Sequence, residues 1–414
     1  MGMKLHRNRR VFRARRMLPR ILASVIGAAA IVAIGFFGAK YFCEHPIQNA
    51  PPESVDSTQN AASAPNDASG TTAATPDTDA ATIPTLDKVR AFYLPYSALS
   101  NASSLNATLA EAANAGFNSV IFELKDSDGN LYFRSQTARA IQVNSFAANA
   151  MTVDEAKALF TAIREADLLP IPRLHAFMDN AAAKALPGAR VAHQSDSTWV
   201  WYDANPANGG RAWLNPYADE AHMYIIDLAK ELQEAGAAAI MLDSVQFPAQ
   251  TSSASFGSSA NTSMKRDEIL TAFIRKAQTL LGEDCPVMLS CTAESALGSD
   301  TLLYGNNPLT FVCAVAAPTL LTGEMNTTIT VGTETLQNTP DTLQDTLQAL
   351  VNQMSLRIKV METDSQPTLA PWLQAYDYTT AQIKSAVAGC LAGGTDSYIL
   401  YNPNGKYDFA ALTP

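Results

Sequence analysis

Four acidic side chains stand where apolar, strand-like runs alternate or end. Glu123 and Asp126 lie in Val120-Ile121-Phe122-Glu123-Leu124-Lys125-Asp126, Asp243 closes Ile240-Met241-Leu242-Asp243, and Glu294 closes Met288-Leu289-Ser290-Cys291-Thr292-Ala293-Glu294. Strand alternation puts Met241, Asp243 and Val245 on one face, Glu123 and Lys125 on another, and Ser290, Thr292 and Glu294 on a third. A carboxylate on such a face is costly unless solvated or paired. Asp243 therefore either opens onto a solvated mouth, caps the next loop or pairs with an arginine. Glu123 and Lys125 are either an internal ion pair, with Arg173 as a third member, or part of an acid/base arrangement in which a neighbouring cation decides which carboxyl holds the proton. Asp126 also begins the turn Asp126-Ser127-Asp128-Gly129, which turn chemistry alone would explain. Arg173 and His175 share a face in Arg173-Leu174-His175. The chain has five histidines and no Gly-x-Ser-x-Gly elbow, so a histidine metal site and a Ser-His-Asp triad are poorly supported. No metal and no organic cofactor is expected. Trp213, Trp372, Tyr217 and Tyr401 lie in loops or at strand ends, where they suit stacking on sugar C–H faces or ordinary core and rim packing.

The elements that must position these groups are legible as alternation. Strands are predicted at Val89–Tyr96, Ser119–Asp126, Leu169–Phe177, Ala238–Val245, Val287–Glu294, Phe311–Ala317, within Gln366–Leu373, and at Ser397–Asn402. Helices are predicted at Asn106–Ala115, Val153–Ala166, Asp219–Ala235, Lys265–Leu281, Thr339–Met354 and Thr379–Leu391. Thr152 and Glu155 form a capping box, Gly236 and Gly282 are stop signals, and Pro340 sits in a first turn. The links after Glu294 and at Arg357–Asp364 show no convincing helix. Eight strands alternating with helices predict an α/β fold with a parallel sheet. No Gly-x-Gly-x-x-Gly turn follows the first strand, which weakens a dinucleotide-binding sheet. Polar residues at strand carboxyl ends (Lys125, Asp126, His175, Asp243, Glu294, Asn402) favour a (β/α)8 TIM barrel, which builds its site there.

The rest of the 414 residues is organised around that barrel. Charged residues are 16% of the chain, below the ~25% usual for globular proteins, so a large core is expected. Residues 1–40 hold nine of the 29 Lys/Arg and none of the 39 Asp/Glu, leaving twenty bases against 39 acids in the remainder. A body that acidic repels phosphate backbones and speaks against nucleic-acid binding. Residues 1–20 read as a basic cytoplasmic tail. The uncharged run 21–38 reads as a transmembrane signal anchor, with a cleaved signal peptide as the alternative. Residues 39–86, rich in Ala, Ser, Thr and Pro, read as a disordered linker, and 87–414 as the barrel, placed outside the membrane. Cys43, Cys285, Cys291, Cys313 and Cys390 fit neither a zinc site nor a disulfide framework and read as free thiols.

Taken together, these segments resemble the putative glycoside hydrolase domain family of bacterial surface and secreted proteins. Leu242-Asp243-Ser244-Val245-Gln246-Phe247-Pro248 is similar to its Phe-Asp-Tyr-Ile-Arg-Phe-Pro motif. Val120–Gly129 resembles its Asp-Val-Lys-Asp segment, with Glu123 in place of the first Asp. Pro170–Asn180 resembles its Pro-Ile-Ala-Arg segment, keeping Arg173. Trp213-Leu214-Asn215-Pro216-Tyr217, Ala370–Asp377 and Leu400-Tyr401-Asn402-Pro403 match three further motifs. Where the family has Ser-Ala-Asp, this chain has Ser290-Cys291-Thr292, and the polar residues after Asp243 have turned smaller or apolar. The resemblance implies a TIM barrel that cleaves a cell-envelope or extracellular polysaccharide with two carboxyls. Asp243 is then the expected nucleophile or stabiliser and Glu294 the leading acid, ahead of Asp126 and Glu123. Lys125, Arg173, His175, Trp213, Trp372, Tyr401 and Asn402 would hold the sugar. The departures equally allow a degenerate barrel that binds glycan without cutting it.

Overall fold

The computed structural model describes residues 86–258, 260–298, 302–361 and 366–412. The basic tail, the anchor at 21–38 and the linker up to residue 85 lie outside the described residues, as does Cys43. Among the described residues no helix is long and apolar enough to cross a membrane.

Eight strand positions close on themselves, all parallel. They are β1 (Arg90–Leu94), β2 (Ser119–Lys125), β3 (Leu169–His175), β4 (Ile240–Asp243), β5 (Val287–Thr292), β6 (Val315–Leu320), β7 (Trp372–Gln374, preceded by the two-residue strand Thr368–Leu369) and β8 (Tyr398–Tyr401). Each pairs with its successor, and β8 returns to β1 through Arg90↔Tyr398, Ala91↔Ile399 and Phe92↔Leu400. Among the helices are α1 (Ala102–Asn114), α2 (Val153–Glu165), α3 (Asp219–Glu234), α4 (Arg266–Leu281), α5 (Ala293–Leu297), α6 (Leu343–Lys359), α7 (Thr380–Ala392) and α8 (Phe409–Leu412), with two further short helices at Ala138–Val143 and Asn180–Ala185. The expected (β/α)8 barrel is therefore the fold.

Two apolar layers hold it. The inner layer takes alternate residues from every strand, including Ala91, Ile121, Ile171, Met241, Met288, Val315, Ala317 and Ile399. The outer layer packs Phe92, Val120, Phe122, Leu174, Leu242, Leu289 and Leu400 against the helices. Strands buried on both faces explain the near-continuous apolar runs. Local signals behave as read: Thr152 and Glu155 form a reciprocal capping box, and Gly236 and Gly282 adopt φ +109° and +76° at helix ends. Cys285, Cys291, Cys313 and Cys390 are buried free thiols.

Several boundaries differ from expectation, and three of them have a local cause. The sixth strand is Val315–Leu320 rather than Phe311–Ala317. Pro318 reads as a strand end, but β7 is interrupted at the same level. Its pieces pair Ala316↔Leu369 and Thr319↔Trp372, and continuing either register sets Pro318 opposite Pro371, neither of which has an N–H to satisfy. The helix predicted at Thr339–Met354 runs from Leu343 to Lys359. Thr339 and Thr342 tie up a turn before it, and Arg357 anchors its last turn on the carbonyls of Leu297 and Gly298. The fifth strand ends at Thr292, not Glu294, because the Thr292 hydroxyl accepts from the Ser295 amide and starts α5.

Candidate active site

Arg173 is the hub at the carboxyl ends of the strands. Register places Glu123 beside Arg173 and His175 beside Asp243, so three neighbouring strands deliver four ionisable groups to the inner face. Arg173 Nη1 donates to Glu123 Oε2 at 2.8 Å. Its Nη2 and Nε donate to Asp243 Oδ2 at 2.6 and 3.2 Å. Side-chain exposures of 16, 10 and 16% for Arg173, Glu123 and Asp243 put the cluster deep in the cup but short of sealed. The rings of Trp372 and Tyr93 lie 5.4 and 5.9 Å from the guanidinium carbon and wall it against water.

The two carboxyls differ in proton affinity. Burial, followed by the Asp243 charge, outweighs the attraction of Arg173 and raises Glu123 to about 7. Burial would also raise Asp243, but Arg173, then His175, hold its carboxyl well below the usual range. Burial lowers His175 to about 3, so its ring is neutral.

Hydrogen-bond bookkeeping then locates the protons. Ser244 Oγ donates to Asp243 Oδ1 at 3.0 Å, and a hydroxyl has one proton to give. His175 Nδ1, 2.8 Å from Ser244 Oγ, must therefore be the N–H that donates to that hydroxyl. The lone pair of His175 Nε2 faces Glu123 Oε1 at 3.7 Å. Glu123 Oε2 is occupied by Arg173 and by the Tyr93 hydroxyl at 3.2 Å, while Oε1 is buried without a hydrogen-bond partner. A proton on Glu123 belongs on Oε1. The site thus holds one carboxylic acid with an uncommitted O–H and one fixed carboxylate, separated by the width of a guanidinium.

The other expected site residues lie elsewhere. Glu294 is exposed in the first turn of α5, and no ion pair joins it to the described residues of the cluster; the turn at Thr292 carries it off the strand face. Lys125 does not share the face of Glu123. The β2–β3 register shifts between them, which turns Lys125 outward to a fully buried pair with Asp179 at 2.8 Å. Asp126 accepts from Asn130, Tyr132 and the Asp128 amide, the bonds of a turn former. Burial would raise its pKa, but the bonds from Asn130 and Tyr132 outweigh it and hold the carboxyl below its ordinary value. Trp213 is buried and donates to Asp203 at 2.9 Å. Asn402 spends its amide on the carbonyls of Ala375 and Lys406. Trp372 and Tyr401 do border the cluster, Tyr401 packing 5.1 Å from Tyr93.

Tyr93 and Ser244 were not singled out in the sequence, and Ser290 was placed on a face with Thr292 and Glu294 but given no role. Tyr93 follows Ala91 in the inner-face alternation and could have been found that way. Ser290, which bonds Asp243, sits on the inner face of β5. Ser244 gave no signal: its φ of +54° is rare for a residue with a Cβ.

The profile of the family described as putative glycosyl hydrolase domain matches residues 91–296, the stretch from β1 to α5. No curated protein matches the chain. Among solved structures, a hypothetical protein from Ruminiclostridium thermocellum ATCC 27405 is similar at 22% identity, covering 48% of this chain and 96% of its own, with a TM-score of 0.41. The glycoside hydrolase domain of PelA from Pseudomonas aeruginosa is similar at 14% identity, 77% and 96% coverage and a TM-score of 0.41. The catalytic domain of β-amylase from Paenibacillus polymyxa is similar at 10% identity, 79% and 95% coverage and a TM-score of 0.46. Residues 91–296, which carry Glu123, Arg173, His175 and Asp243, match the model of the putative glycosyl hydrolase domain family.

Proposed function

We propose that the barrel is an extracellular glycoside hydrolase in which Glu123 protonates the leaving glycosidic oxygen and Asp243 acts as nucleophile or base. Glycosidic cleavage needs two carboxyls in opposite protonation states, ~5–9.5 Å apart according to stereochemical outcome. The observation that carries the reading is the pair held by one arginine: Glu123 raised to about 7 with a free Oε1, and Asp243 held ionised. The substrate is a cell-envelope or extracellular polysaccharide, the chain being tethered by residues 21–38. No cofactor is needed for this chemistry.

Reducing-end release from cell-envelope polysaccharide by the purified chain tests this. Asp243→Asn should abolish release with the far-ultraviolet dichroism and melting cooperativity unchanged; release that survives removes Asp243 from the mechanism. One observation favours a second reading, a barrel that binds glycan without cleaving it. Both oxygens of Asp243 are engaged, Oδ2 by Arg173 and Oδ1 by Ser244. Glycan retention with no product from the wild-type chain would establish that reading instead.

A further inference from the structure

The two oxygens of Glu123 are not equivalent. Oε2 accepts from Arg173 Nη1 at 2.8 Å and from the Tyr93 hydroxyl at 3.2 Å, whereas Oε1 is buried with no hydrogen-bond partner. Arginine has donors only, and a protonated carboxyl has a single O–H to place. Arg173 alone would hold one oxygen and leave the carboxyl free to swing about that contact. Tyr93 removes this freedom, because its donor comes from β1 on one side of β2 while Arg173 comes from β3 on the other.

Tyr93 is built to hold its hydroxyl still. The β1–β2 register sets it beside Ile121, two residues before Glu123 on the same face. The residue is 6% exposed, and its ring packs against Trp372 and Tyr401 with centroids 6.1 and 5.1 Å away. Its amide and its carbonyl both meet the Tyr407 hydroxyl, at 3.2 and 2.8 Å. Among the described residues the Tyr93 hydroxyl bonds Glu123 alone. Burial, then the Glu123 charge, raises its pKa far above the ordinary phenol value, so it keeps its proton and stays a donor. The other ionisable groups around Glu123 are Arg173 and His175 from β3, Asp243 from β4, Asp126 after β2, Tyr132 from the loop beyond it, and Tyr401 from β8. Of these, Arg173 is the one that donates to Oε2 beside Tyr93.

We infer that Tyr93 is a positioning residue for the acid: its hydroxyl, together with Arg173, pins Oε2 and leaves the proton of Glu123 on Oε1. The inference rests on the hydrolase reading above and deepens it by naming the group that orients the acid. A hydroxyl bond of this kind favours the ionised carboxyl. Removing the hydroxyl while keeping the ring therefore moves the Glu123 titration up. A ring that only fills space has a different signature. Its loosening admits water, relieves burial and lets Glu123 fall toward its ordinary 4.5.

The test is Tyr93→Phe in the full-length chain carrying carbon-13-labelled glutamate. The Glu123 carboxyl signal is the one lost in Glu123→Gln, and NMR follows it against pH. In Tyr93→Phe its midpoint should rise by about 0.5–1 on the pH scale, the size of one hydrogen bond to a carboxyl. The descending limb of reducing-end release from cell-envelope polysaccharide should rise with it, at unchanged KM. A midpoint that stays in place or falls overturns the role of Tyr93, and release that persists beside it leaves the hydrolase standing. A midpoint that rises while the limb stays put also overturns the inference, because the acid is then another group. A midpoint that rises in a chain releasing no sugar sustains the hold of Tyr93 on Glu123 and removes the hydrolase.

Discussion

Glu123 and Asp243 share one guanidinium, yet their environments drive their proton affinities apart, and this separation is the chemistry at the residue scale. Glu123 must be protonated to donate, so activity should fall as pH rises through about 7, while Asp243 stays ionised to well below the usual carboxylate range. A rate–pH profile checks this; a descending limb far from 7 assigns the acid to another group. Glu123→Gln should lower kcat by roughly 10²–10⁴-fold and erase that limb, because an amide neither donates as an acid nor titrates. Ser244 supplies a sharper probe. Ser244→Gly relieves a left-handed backbone costing ~1–3 kcal/mol but deletes the hydroxyl that links His175 to Asp243. The variant should melt no lower than the wild type and still lose about tenfold in kcat, read by calorimetry beside the release assay.

At the scale of elements, the register shift in β2 decides which cation serves the cup. Strict alternation would seat Lys125 next to Glu123. The shift sends it behind the strand, where its ammonium meets Asp179, donates to the His175 carbonyl at 2.5 Å and lies 5.9 Å from the Tyr224 ring centroid. Asp179 in turn caps the short helix Asn180–Ala185 through the Ala182 amide. The pair therefore fastens the end of β2 to the loop after β3, directly behind the cluster. Lys125→Met strands a fully buried carboxylate and should cost about 3–5 kcal/mol in urea unfolding. Adding Asp179→Asn removes the orphan charge and should recover much of the loss; a double variant as unstable as the two singles combined would show that the groups act independently.

On the scale of the whole molecule, closure depends on the seam between β1 and β8. The Tyr407 hydroxyl accepts from the amides of Tyr93 and Asn402 at 3.2 and 3.0 Å and lies 2.8 Å from the Tyr93 carbonyl. Tyr407→Phe leaves buried backbone groups of both strands unpaired and should cost about 1–3 kcal/mol, seen as a lower Tm with unchanged secondary structure. Stability also carries a pH signature. Glu123 is raised from its ordinary 4.5 to about 7, so what it contributes is complete below the lower value and lost as pH rises through the upper. Asp243 is depressed, so its contribution is present above its ordinary value and lost in acid. Glu123→Gln should flatten the fall in unfolding free energy between those two values, which denaturant titration at several pH values measures.

The alternation of apolar runs with amphipathic segments was enough to predict an α/β fold with a parallel sheet, because strands buried on both faces and helices buried on one leave different periods in the chain; the polar residues at the strand ends favoured closure into a barrel. Asp243 at the end of β4, and Arg173 and His175 on one face of β3, were likewise legible, since simple alternation holds there. Which carboxyl accompanies Asp243 was not. Glu294 and Glu123 both close or line a strand in the sequence, and choosing between them required the Thr292 turn, the shift in β2 and the register of β2 on β3. Those are set by contacts between segments far apart in the chain. The same holds for the left-handed Ser244 and for the raised pKa of Glu123: burial is a property of the closed barrel, and no stretch of sequence contains it.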